Sequence, residues 1–251
     1  MRSILLASAC LVAAGALAPA SAANFDGVFG ADYSHLDANG GGGSANAWGL
    51  TGSGVFGFSQ DWAGEVDGGY QHVSQGVGSV WNIDGSVMYR GGWGRVGGVV
   101  GYNSADNTDI NVTNYGGFVD FYASHAFTVS VKAGGFNASH NTDGDYVGAQ
   151  VAGYVMPDFA ITGGYDYTHL QHAGNENDWS VGGEWLVSET TPVSVYASYT
   201  NSKISGGGPT INVWTVGVHY YVDSGPATLV DRQRAGAATY GTSFGPTLLK
   251  F

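Results

Sequence analysis

What most constrains this chain is an alternation of apolar and small or polar side chains, kept up over segments of about ten residues and repeated from residue 25 to residue 222. A period of two sends successive side chains to opposite faces, so each segment predicts a strand with one oily face and one wet face. Between 46 and 58, Trp48, Leu50, Phe56 and Phe58 share a face with Gly52 and Gly54, while Gly49, Thr51, Ser53 and Gly57 share the other. Trp62, Val66 and Tyr70 oppose Glu65, Asp67 and Gln71, and Trp81, Ile83, Val87 and Tyr89 oppose Asn82, Asp84 and Ser86. The pattern recurs later, with Phe127, Val129 and Val131 against Thr128, Ser130 and Lys132, and Trp179, Val181 and Trp185 against Ser180 and Glu184.

Twelve segments fit this template: 25–36, 46–58, 62–73, 79–89, 93–103, 110–122, 127–137, 146–155, 159–170, 178–187, 192–201 and 211–222. The connectors after even segments are short, and most of those after odd segments (37–45, 104–109, 138–145, 171–177, 202–210) are longer and polar. An even strand count with short turns at one end and longer loops at the other predicts an all-β fold. It is an antiparallel transmembrane β-barrel of about 12 strands, with short periplasmic turns and longer extracellular loops. Aromatic spacing agrees: Trp62 and Tyr70, Trp81 and Tyr89, and Phe159 and Tyr167 are pairs eight residues apart on the oily face. At roughly 3.3 Å per residue and a tilt near 40°, that separation covers about 20 Å, close to the apolar band of about 25 Å between the aromatic girdles of a membrane barrel.

Composition removes the competing classes. Glycine supplies 43 of the 251 residues without a G-X-Y period, which excludes collagen, and 13% aromatic content excludes a solvated, disordered chain. Beyond the N-terminus no apolar run reaches the length of a spanning helix. Arg2, the apolar run from Ile4 to Leu17, and Ala20-Ser21-Ala22 predict a secretory signal peptide over 1–23, a barrel over 24–222 and a separate tail over 223–251. Cys10 lies within that leader, so the mature chain has no thiol chemistry. Without Arg2, seven basic residues face twenty acidic ones, a net charge of −13 that makes nucleic acid a poor partner.

The last alternating segment, Thr215-Val216-Gly217-Val218-His219-Tyr220-Tyr221-Val222, resembles the β-signal of Gram-negative outer-membrane β-barrels, with Thr215, Gly217, Tyr220 and Val222 at its marked positions. Together with the alternation along nearly the whole mature chain, it makes the protein similar to the small porin-like members of that family. The resemblance implies a place in the bacterial outer membrane. It also implies recognition by the barrel assembly machinery, surroundings of outer-membrane lipids and lipopolysaccharide, and small hydrophilic solutes as cargo. Family members usually end at this strand with a terminal aromatic residue, whereas here Phe251 follows 29 residues later. Three readings of 223–251 stand: a further strand ending in Phe251, a periplasmic tail, or a plug in the lumen.

Alternation puts Glu65, Asp67, Asp84, Asp120, Asp166 and Glu184 on the inner face, against Arg95 and Lys132. Six acids facing two bases in a wet passage predict a pore that prefers cations. The competing expectation is a non-conducting structural or adhesive barrel, closed by a hydrogen-bonded interior, and a lipid-modifying enzyme comes third. Ser34 with His35, and Ser139 with His140, are neighbours in sequence and therefore point to opposite faces. With no H-E-x-x-H spacing and no phosphate loop, no enzyme, cofactor or resident metal is expected. The acidic runs 106–109 and 143–145 offer oxygen ligands with which a divalent ion could bridge to lipopolysaccharide phosphates.

Overall fold

The computed structural model describes residues 25–39, 43–74, 78–106, 110–139, 142–171, 174–188, 191–206, 208–222 and 228–236. Each expected segment is a strand: β1 (Phe25–Asn39), β2 (Gly43–Gly57), β3 (Trp62–Val73), β4 (Gly78–Gly91), β5 (Gly94–Ala105), β6 (Ile110–Ser124), β7 (Phe127–Ala138), β8 (Thr142–Met156), β9 (Phe159–Leu170), β10 (Gly174–Ser188), β11 (Thr191–Ile204) and β12 (Thr210–Val222). Every strand pairs antiparallel with its sequence neighbours, and β1 closes the barrel on β12 with Gly27 opposite Val222 and Asn39 opposite Thr210. Closure satisfies the backbone of both terminal strands, which a sheet in lipid requires.

The strands run further than expected at the loop end. β2 begins at Gly43, β8 at Thr142 and β10 at Gly174, so the connectors expected at 37–45, 138–145 and 171–177 shrink to a few residues each. The ladder continues through Ala138 opposite Thr142 and Leu170 opposite Gly174. Backbone pairing persists there although polar residues occupy both faces, so alternation fades before the hydrogen bonds do. At the other end the turns 92–93, 125–126 and 157–158 have two residues each.

Large apolar side chains are exposed on the outer wall: Val100 is 58% exposed, Val216 57% and Val87 53%. A continuous apolar exterior of this kind is a lipid-facing surface. Rings border it at both ends. Trp62 meets Tyr89 edge-on at 5.7 Å near the short turns, and Trp48–Tyr70 (5.5 Å), Trp81–Tyr102 (5.3 Å) and Tyr199–Trp214 (4.4 Å) form the girdle near the loops.

Among the described residues a short helix, α1 (Leu229–Ala235), follows the barrel. Thr228 caps its start by accepting from the Asp231 N–H at 3.3 Å, and Gly236 ends it in the left-handed region at φ 104°. The helix lies inside the short-turn mouth. Leu229 N–H donates to the Pro157 carbonyl at 2.7 Å, Tyr154 hydroxyl to Gln233 Oε1 at 2.5 Å, and Arg90 Nη1 to the Ala235 carbonyl at 3.3 Å. The Leu229 side chain is fully buried among Val28, Ala160, Leu186 and Tyr221. The expectation of a further strand ending in Phe251 lies outside the described residues.

Candidate functional site

The eight charged residues expected inside the barrel all project from the inner face, where they divide into two groups. Glu65, Arg95 and Glu184 are buried in the wall. Arg95 Nε donates to the carboxylate of Asp120, which faces it directly across β5 and β6. Glu65 accepts from Ser53 at 2.8 Å. Glu184 Oε1 collects the Ser194 hydroxyl, the Tyr221 hydroxyl at 2.6 Å and His219 Nδ1 at 3.0 Å. Buried acceptors this densely bonded tie strands together.

The second group, in which Asp84, Asp120 and Lys132 are also buried, borders a chamber of about 540 Å³ in the lumen. Asp67, Asp84, Asp120, Lys132 and Asp166 line it, joined by Asp32, Asp178 and His219 and by hydroxyl and amide groups such as Thr51, Asn82, Asn103 and Gln150. Lys132 Nζ is bound to Asp166 at 2.8 Å. Asp84 accepts from Asn82 and Asn114, each at 3.1 Å, and Asn114 in turn accepts from Asn103 at 3.1 Å.

Several of these bonds skip a strand. Lys132 on β7 and Asp166 on β9 both stand level with Gly148 on β8, and Asp84 on β4 and Asn114 on β6 both stand level with Gly101 on β5. A β-carbon at Gly148 would lie 1.9 Å from Asp166 Oδ1, and one at Gly101 would lie 1.6 Å from Asp84 Oδ1. With no side chain on the middle strand, each carboxylate lies flat across it. The centre of the chamber is left open.

No protein-family model matches this chain, and no curated protein matches it. Solved structures do. The KdgM porin in complex with disordered oligogalacturonate aligns at TM-score 0.57 and 12% identity over 76% of this chain and 98% of its own. An outer membrane channel from Pseudomonas putida F1 aligns at TM-score 0.54 and 12% identity over 82% of this chain and 100% of its own. The NanC porin aligns at TM-score 0.57 and 10% identity over 76% and 98%. By fold, the chain is a closed twelve-stranded antiparallel β-barrel of the kind these porin and channel structures show.

Residues of this barrel that sequence reasoning missed sit at the edges of its segments or break its rule. Glu176 lies on the part of β10 beyond the expected start at 178, and Asp178 sits on that boundary. Asp32 was hidden by the many small residues of β1, which blur the alternation. Phe118, Phe136, Tyr146, Tyr154 and Tyr221 turn inward and are buried, so the lumen is partly filled with rings that a strictly wet inner face does not foresee.

The assembly-signal positions divide by face. Thr215 points inward, bonded to Ser34 at 2.8 Å, and Gly217 shares its face, while Tyr220 is 52% exposed on the outer wall beside Val222; Phe251 is outside the described residues. Ser34 and His35 do point apart, His35 bonding Asn46 at 2.8 Å. His72 Nδ1 approaches the Ser79 hydroxyl at 3.2 Å on the outer wall, but Tyr70 engages the same hydroxyl at 2.8 Å, which makes Ser79 part of the aromatic rim. His140 and the run 107–109 fall outside the described residues, and among those described no three metal-ligating side chains converge.

Proposed function

We propose that this barrel is a passive channel of the bacterial outer membrane for small hydrophilic solutes, with a preference for cations. The observation that carries the reading is the chamber wall, where six aspartates face two bases, Lys132 paired with Asp166 and, from within the wall, Arg95 paired with Asp120. Fixed carboxylates in a water-filled passage lower the energy of cations and raise that of anions, so selection is electrostatic, with sieving by size and no turnover. Twelve strands suit this role. Eight leave room only for side chains and sixteen leave a wide aqueous channel. That the KdgM and NanC proteins are porins supports a channel. In the same reading the outer wall meets lipids and lipopolysaccharide, and Thr215, Gly217, Tyr220 and Val222 serve the assembly machinery.

The test is the reversal potential of the refolded full chain in a planar bilayer under a KCl gradient. The wild type is expected to be cation-selective, and Asp32→Asn combined with Asp67→Asn to move the potential toward zero. Anion selectivity, or a potential that ignores both substitutions, refutes the reading. A non-conducting structural barrel is the second reading, favoured by α1 in the mouth. Silence from folded protein, including variants that loosen α1, would establish it.

A further inference from the structure

Arg234 of α1 is held in a cage built by the barrel wall. Its guanidinium carbon lies 4.6 Å from the ring centre of Tyr122 and 5.8 Å from that of Tyr154. Nη2 donates to the carbonyls of Ser124 and, at 3.2 Å, Phe127, and Nε approaches the Thr128 hydroxyl at 3.4 Å. The cage comes from three adjacent strands: Tyr122 on β6, Thr128 on β7 and Tyr154 on β8, with the β6–β7 turn as its floor. Two ring faces and three oxygen acceptors complement a planar group with several in-plane donors, which is guanidinium chemistry rather than that of a compact ammonium. A second arginine of the helix, Arg232, lies 5.1 Å above the Tyr221 ring across the mouth.

We propose that the short-turn mouth is a binding site for guanidinium-bearing cations, with Arg234 of α1 as its built-in occupant. The helix is then a tethered competitor. It narrows the mouth by filling a site that a free arginine-like solute can take. A group tethered by a short linker acts at an effective concentration in the millimolar range. Free ligand therefore has to exceed that level to displace it, because Leu229 adds an apolar seat of its own. Tyr122 of the cage lies two residues from the chamber's Asp120 on the same face of β6, so a cation that displaces the helix is at the turn end of the aspartate-lined wall. That last step rests on the channel reading, whereas the site itself rests on the cage.

The experiment uses the refolded full chain carrying Leu229→Asp, which removes the apolar seat of α1 and leaves every cage residue in place. Arg234→Ala, which empties the cage without touching that seat, serves as the second variant, and heat-modifiable gel mobility reports a folded barrel. Binding of arginine amide is measured by calorimetry against choline, and single-channel current is recorded with each added on the turn side. Both variants are expected to bind arginine amide at least tenfold more tightly than choline and than the wild type does. Tyr122→Leu with Tyr154→Leu should abolish that advantage. Folded variants that bind arginine amide no better than choline, or equally well without the two tyrosines, overturn the site. Current without such binding removes the site and keeps the channel; binding without current in any variant keeps the site and removes the channel.

Discussion

Gly101→Ala tests how the lumen stays open. The new β-carbon would lie 1.6 Å from Asp84 Oδ1 and 2.8 Å from Asn114 Nδ2. Non-bonded atoms settle at about 3.5 Å, so the carboxylate has to retreat by roughly 2 Å. Its way out is toward the chamber that it lines. In moving it gives up the bonds from Asn82 and Asn114, both 3.1 Å long. Hydrogen bonds to a charged group contribute about 1.5–3 kcal/mol each, and water in the chamber replaces part of that, leaving a net loss of about 1–3 kcal/mol. Urea unfolding in vesicles measures the loss. Bilayer recording should show smaller steps and a stronger cation preference, because a charge has moved from the wall into the passage. Gly85→Ala is the control, since a β-carbon there meets nothing within 4 Å. If Gly101→Ala matches Gly85→Ala in stability, current and selectivity, the account of carboxylates recessed over glycines is wrong.

Three further outcomes follow from the same geometry. Leu229→Ala empties a fully buried apolar seat and should weaken docking of α1 by about 2–5 kcal/mol, read as faster proteolysis of the helix with no change in barrel mobility on gels. Glu184→Ala strands the buried Ser194 and Tyr221 hydroxyls and should lower barrel stability by about 2–6 kcal/mol, while Glu184→Gln retains an acceptor and leaves the reversal potential unchanged, since Glu184 is in the wall and not on the passage. Gly148→Ala should part Lys132 from Asp166, whose carboxylate a β-carbon would meet at 1.9 Å. Because Asp166 is partly exposed, the change should appear in selectivity more than in urea stability.

The neighbouring glycines explain why inward direction was legible and role was not. Asp84 and Glu184 look alike in the alternation, each an acid between one outward apolar residue and one outward glycine, Ile83 and Gly85 or Trp185 and Gly183. One lies over Gly101 at the chamber; the other is buried under three donors. What separates them is the residue on the next strand and the strand beyond it, and register sets those partners. Register is a property of the ladder, in which residues far apart in sequence, such as Asp84 and Asn114, become neighbours across Gly101.

The sequence by itself determined twelve strands, their faces, the girdles and the inward direction of all eight charged candidates, because period-two alternation is a local signal and lipid outside with water inside enforces it on every strand. Tertiary structure decided the rest. Closure of β1 on β12, the division of acids into wall and chamber, and the seating of α1 depend on contacts between residues separated by tens to more than a hundred positions. The tail shows this most clearly. Residues 228–236 have no alternation to read, and their place in the mouth comes from Leu229 finding an apolar pocket that exists only once β1 has closed on β12, and Arg234 a cage that exists only once β6, β7 and β8 have paired.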